Sequence, residues 1–279
     1  MAGNGKPASK PDLTTLAGLL LGVGGILLGQ RLEGGDAGQI FGFPAALIVL
    51  GGTAGAVLVS TPFETLRRAC GRLKDVFFET PLDPEAMIDD ILDFAMKARK
   101  NGIVSLEMEA AEIPNPFLKK ALTMAVDGTD LQEIRKMMEL EIGVAEQRAE
   151  ADARVFECAG GYSPTIGIIG AVLGLILVMQ DLGNIEKVGA GIASAFVATI
   201  YGVGFANLIC LPVGAKIKAR AHRQTELNEL ILEGVSGIVE GLNPRILGAR
   251  LEAYTGASPA RKSRRRGAHS EADTAPARG

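Results

Sequence analysis

Between residues 161 and 212, two uncharged apolar stretches, GYSPTIGIIGAVLGLILVMQ and GAGIASAFVATIYGVGFANLICLP, hold the few groups that could handle an ion. Each carries one threonine, Thr165 and Thr199, and one proline near its outer flank, Pro164 and Pro212. A threonine in an apolar helix usually bonds back to its own helix carbonyl. As a pair on neighbouring helices, however, two such hydroxyls could border a narrow polar path. Ala171 lies in the first stretch and is too small to coordinate a cation. Neither stretch supplies a carboxylate, so an ion passing here needs an acceptor from another chain. Each proline deletes a helical hydrogen bond, to the carbonyls of Gly160 and Leu208 respectively, and is read either as a hinge or as a static kink or helix start.

Other chemistry is poorly supplied. Cys70, Cys158 and Cys210 lie far apart, and His222 and His269 sit in the C-terminal part, so no CxxC or HxxxH zinc spacing appears. No phosphate-binding glycine loop follows a strand pattern, and the chain is not read as an enzyme. A net charge of −3 excludes a global nucleic-acid footprint. No cofactor is expected.

The elements that must carry these residues are membrane helices. Mean hydropathy is +0.23, and the 36 glycines are too many for a soluble helical protein, where an interior glycine costs about 1 kcal/mol against alanine. In a bilayer small residues let backbones approach instead. Four apolar segments fit a requirement of about 20 residues: 13–29, 42–60, 161–180 and 189–212. The first is not read as a signal peptide, because its flank QRLEGG lacks a small-x-small cleavage site. Arg67, Arg68, Arg72 and Lys74 follow the second span, and Lys216, Lys218, Arg220 and Arg223 follow the fourth. The short connections hold only Arg31 and Lys187. The positive-inside rule therefore puts both termini and the long loop 61–160 in the cytoplasm.

The expected fold is all-α: a polytopic membrane protein with a helical cytoplasmic domain. Its parts are a tail 1–12, spans within 13–60, a helical loop 61–160, the ion-path spans within 161–212, a cytoplasmic helix 213–255, and a disordered tail 256–279. In the loop Ile88, Ile91, Leu92, Ala95 and Met96 recur at helical spacing, as do Leu131, Ile134, Met138 and Ile142. Asn115–Pro116 punctuates between them. Leu227, Leu230, Ile231, Val235 and Ile238 continue the pattern beyond the fourth span. The basic run Arg261–Arg266 reads as a solvated tail or a loose lipid contact. Glycines four apart, Gly18/Gly22, Gly25/Gly29, Gly51/Gly55 and Gly170/Gly174, suit close helix packing, either within one chain or between copies. Arg99 and Glu107, in ARKNGIVSLE, read on their own as a solvated charged face.

Several of these segments also carry a family likeness. PTIGIIGAVLGLI and AFVATIYGVGFANLICLPVGAK closely resemble the MotA subunit of the bacterial flagellar stator, within the wider MotA/TolQ/ExbB group. PAALIVLGGTAGAVLVS, ARKNGIVSLE and NPFLKKALTMAVDGTD extend the resemblance over roughly residues 12–245. It implies a proton-conducting stator in the bacterial inner membrane. It also implies a MotB-type single-span partner whose intramembrane aspartate takes up the ion, and a homo-oligomeric ring, a pentamer in this family. By the same resemblance Arg99 and Glu107 would meet the rotor protein FliG, Pro164 and Pro212 would couple ion passage to movement, and Thr199 would stand near the path. Ala171 occupies a position where sodium-driven relatives such as PomA look threonine-bearing, which favours protons. The TolQ/ExbB branch differs in having one span before its large loop, whereas this sequence has two. A non-conducting membrane scaffold is the remaining alternative.

Overall fold

The structure is a computed structural model and describes residues 10–79, 81–180 and 182–255. The readings for the tail 256–279, its basic run and residues 1–9 lie outside the described residues. Four helices are long and apolar enough to cross a membrane: α1 (Leu13–Leu32), α2 (Phe43–Ser60), α7 (Leu131–Gln180) and α8 (Ile185–Val239). Chain contacts divide the molecule into one unit formed by residues up to 81 with 144–223, and a second formed by 82–143 with residues from 224 onward.

The first unit holds the apolar spans. Its one pair of strands among the described residues is β1 (Lys10–Pro11) against β2 (Phe78–Glu79), antiparallel with Lys10 opposite Glu79. None of the residues of α1 is buried, so its leucines are available to lipid or to other chains. The helix α3 (Phe63–Phe77) follows α2 after the short break at Thr61 and Pro62. Expectation and structure differ on where the last two spans end. α7 begins thirty residues before the expected start at 161 and passes through Pro164 without ending. α8 likewise runs on past Pro212 to Val239. The charged flanks are rich in helix formers such as Glu, Ala, Arg and Lys, so the helices have no local reason to stop at the bilayer. A helix start at Pro164, one of the readings of that residue, is not what the structure has.

Close glycine contacts join α7 to α8. A Cβ placed on Gly167 would come within 3.0 Å of the Ala198 carbonyl, one on Gly170 within 2.9 Å of Ala198 Cβ, and one on Gly174 within 3.0 Å of Ala195 Cβ. The Gly170/Gly174 pair therefore packs within one chain. A Cβ on Gly18, Gly25, Gly29, Gly51 or Gly55 would meet nothing within 4 Å. α2 covers the same pair of helices, with Ala45 and Val49 buried against Val197 and Ala198. The Tyr201 hydroxyl ties that layer together, accepting from the Gly42 N–H (3.2 Å) and donating to the Ile40 carbonyl (2.7 Å).

The second unit is a helical bundle. α4 (Pro84–Asn101), α5 (Glu107–Glu112) and α6 (Pro116–Val126) surround the first turns of α7, the last turns of α8, and α9 (Pro244–Glu252). Asp83, Asn115 and Asn243 cap α4, α6 and α9, each followed by proline at the first helical position. Its core includes Ile91, Leu118, Leu122, Ile134, Met138, Ile231 and Leu247. Ile91, Ile134, Met138 and Ile231 belong to the stripes expected from spacing, whereas Met96 of the same pattern is exposed; each such buried side chain contributes about 1.5–3 kcal/mol by leaving water. Gly102, at φ +83, turns the chain out of α4 where a side chain would be strained.

Candidate ion path and its ionic base

The α7–α8 contact decides which polar groups face inward. Gly167 packs on Ala198, Thr199 and Gly202, which puts the Thr199 backbone directly beside it. Thr199 itself is half-buried, as is Ala171, one turn further along α7. Thr165 lies two residues from Gly167, about 200° around the helix. It is exposed, and its Oγ1 donates to the Tyr162 carbonyl at 2.7 Å. The structure thus brings Thr199 against α7 but turns Thr165 away, so the two hydroxyls do not face each other within one chain.

Pro164 lies inside α7 and Pro212 just after a π-helical turn, Phe205–Cys210. There the Leu211 N–H reaches back to the Ala206 carbonyl, five residues away. Such a wide turn lets a helix absorb a proline ring without ending. A second wide turn, Leu47–Gly51, lies in α2.

At the base of the spans are two ionic clusters that sequence reasoning missed. Asp152 on α7 is fully buried, and α3 grips it with the Nε of Arg68 and of Arg72, each at 2.6 Å. Arginines four apart share a helix face, which is why one carboxylate receives both. Asp12 forms the second cluster. It caps α1 by accepting from the N–H groups of Thr14 (3.0 Å) and Thr15 (3.1 Å). It is ion-paired with Lys216 and, at 2.7 Å, with Arg220, while Arg220 also donates to the Phe78 carbonyl. The Lys216 ammonium, then the Thr14 hydroxyl, hold the Asp12 carboxyl far below the usual carboxylate range, against the opposing pull of burial. The order Asp-Leu-Thr-Thr before an apolar run was the available N-cap signal. Arg68, Arg72, Lys216 and Arg220 were read only as orientation charges, which spacing alone cannot pair with distant carboxylates.

Arg99 and Glu107 belong to the second unit. Arg99 is exposed in the last turn of α4, and Glu107 is exposed at the first residue of α5. The ion pair that joins these helices is Lys97 to Glu109, at 2.5 Å. Arg99 also borders a cavity of about 400 Å³ lined by Ala95, Ile103, Ile238 and Leu242. No cluster of metal-binding side chains occurs among the described residues.

Residues 109–229 match the MotA/TolQ/ExbB proton channel family. Motility protein A of Helicobacter pylori is 34% identical over 252 residues, 90% of this chain and 98% of the relative. The solved MotAB structure of C. jejuni superposes with a TM-score of 0.85 at 35% identity, covering 89% of this chain and 96% of that one. The flagellar MotAB stator complex of Bacillus subtilis gives 0.83 at 30% identity, over 90% and 98%. Two candidate spans before the long helical segment, an α7–α8 pair without a charged residue in its apolar stretches, and likeness across nearly the whole length lead to one conclusion: the chain belongs to the MotA/TolQ/ExbB proton channel family.

Proposed function

We propose that the chain is the multi-span stator subunit of a flagellar motor, working in the inner membrane as an oligomer with a MotB-type single-span partner. The carrying observation is the likeness to two MotAB structures over nine-tenths of the chain. The partner supplies the intramembrane aspartate that α7 and α8 lack. A charge in mid-bilayer is costly unless it faces a polar cavity, so the small, half-buried surface around Thr199 and Ala171 is the place for that carboxylate to sit. The proton is the coupling ion, since Ala171 offers no hydroxyl to replace a sodium ion's hydration. Both termini and the second unit face the cytoplasm, where exposed Arg99 and Glu107 meet FliG. Pro164 and Pro212 transmit the step between membrane and cytoplasm. The TolQ/ExbB reading is less well supported, because α1 and α2 both precede the helical segment starting at Phe63.

Deletion of the gene followed by swimming assays, with proton and sodium gradients collapsed separately, tests this reading. A strain without another stator set should stop swimming, and complemented cells should slow with the proton gradient only. Normal swimming of the deletion sinks the stator assignment, and speed that follows sodium sinks the ion assignment.

A further inference from the structure

The hydroxyl that the α7–α8 contact encloses belongs to Ser163. Ser163 is four residues before Gly167 and so shares its face. Its carbonyl lies 2.7 Å from where a Cβ of Gly202 would stand. The residue is fully buried, and its Oγ has no hydrogen-bond partner among the described residues. Thr165, on the other side of Pro164, is exposed and already bonded within its own helix. Of the two hydroxyls beside the proline, only that of Ser163 has unused capacity in a dry place.

A second polar group stands on the same face one turn earlier. Gly160 is buried against Leu211 and Cys210, with its Cβ position 2.7 Å from Leu211 Cδ2. Its carbonyl would bond the N–H of residue 164, and proline has none. Opposite lies the π-helical turn Phe205–Cys210, itself a departure from the regular hydrogen-bond ladder. Buried polar groups are normally satisfied, and an internal water bridging two or more of them is the usual solution where side chains cannot reach.

We propose that Ser163 Oγ and the Gly160 carbonyl hold a buried water, and that this water is the cytoplasmic step of the ion path. The proposal rests on the conducting role argued above. The Gly160 carbonyl accepts from the water, and the Ser163 hydroxyl donates to it or accepts from it. A proton arriving from the Thr199 side joins a lone pair of the water, and another proton leaves toward the cytoplasm, so the site returns to neutral water. Pro164 then has a second role: it frees the carbonyl that fixes the water.

The test uses the complete complex of this chain with its single-span partner, reconstituted in liposomes. Proton uptake driven by a potassium diffusion potential is measured for wild type, Ser163→Ala and Ser163→Cys. Flux should fall roughly three- to tenfold in Ser163→Ala, the size of one lost hydrogen bond in a buried site, with Ser163→Cys intermediate. Difference infrared spectra in ¹⁸O-water should show an internal-water O–H band in wild type that Ser163→Ala lacks. Thermal stability is recorded alongside; if Ser163→Ala assembles poorly, the Cys variant and its band decide. Unchanged flux in an assembled Ser163→Ala complex overturns the proposal, as does lost flux with the band intact. Absence of flux in wild type as well refutes the conducting role instead, and the infrared band alone then decides whether the water site exists.

Discussion

Replacing Asp12 should loosen the ionic base of the spans in two separable steps. Asp12 is 5% exposed and does two jobs, capping α1 and neutralising Lys216 and Arg220. Asparagine caps helices about as well as aspartate, so Asp12→Asn removes the charge and keeps the cap. Stripping one partner from a fully buried ion pair costs about 3–5 kcal/mol. The Lys216 and Arg220 side chains are 24% and 20% exposed, so water recovers part of that. A loss of about 2 kcal/mol is expected for Asp12→Asn. Asp12→Ala also loses the cap, about 1 kcal/mol more. Thermal unfolding of the detergent-solubilised complex, followed by a thiol-reactive dye on the chain's cysteines, should rank wild type above Asp12→Asn above Asp12→Ala. Adding Lys216→Met to Asp12→Asn should recover part of the loss, because an unpaired cation is then removed. The pH dependence has a definite sign. The folded carboxyl titrates below its ordinary value of 3.8, so its contribution is complete above that value and is lost only as pH falls through the lowered one. Between pH 5 and 8 the gap between wild type and Asp12→Asn should therefore stay constant. Equal stability of the three proteins, or a gap that changes within that range, would refute the reasoning.

Asp152→Asn should destabilise the complex by about 2 kcal/mol, since it leaves the partly exposed Arg68 and Arg72 against a buried neutral amide; chemical unfolding in detergent checks this, and a loss under 1 kcal/mol would count against the clamp. Arg99→Glu should lower stall torque in a bead assay while leaving membrane insertion and thermal stability unchanged, because the side chain is exposed in the last turn of α4. Unaltered torque would remove Arg99 from the rotor contact. Ala171→Thr should make swimming speed sensitive to sodium, and a response to the proton gradient alone would show that this position does not set ion choice. Pro164→Ala restores an N–H for the Gly160 carbonyl, so it should raise thermal stability and reduce torque per proton; raised torque would exclude a coupling role.

Much of the architecture was readable because hydrophobic patterning states it twice. Apolar runs of bilayer length located α1 and α2, and the i, i+3, i+4 stripes containing Ile91, Ile134 and Ile231 marked the core of the second unit. Patterning could not say where α7 starts, since helix propensity continues through charged residues and proline does not end a helix whose neighbours are close. Facing relations were also out of reach. Thr165 and Thr199 look alike in sequence, yet a 200° turn relative to Gly167 sends one outward. Ser163, more buried than either, gives no signal beyond being a serine near a proline. The pairing of Asp12 with Lys216 spans most of the chain, and only the folded backbone reveals it.

The energy available from one ion separates the parts of this molecule that can move from those that cannot. Each charge crossing the membrane yields about 2.3 kcal/mol per 100 mV. Breaking either basal cluster, Asp12 with Lys216 and Arg220 or Asp152 with Arg68 and Arg72, would take most or all of that, with nothing left for work on a rotor. The layer just above them is different. At Gly160–Pro164 one helical hydrogen bond is already missing, and at Phe205–Pro212 a wide turn holds the chain in a register that can shift without losing a full bond. Glycine contacts at Gly167 and Gly202 let the helices slide with little side-chain interference. On the proposed reading, the energy of one ion suffices for rearrangement in this layer but not at the base. The proposed conformational step accordingly belongs where Ser163 and the two prolines sit, with the ionic clusters as the fixed frame against which it is taken.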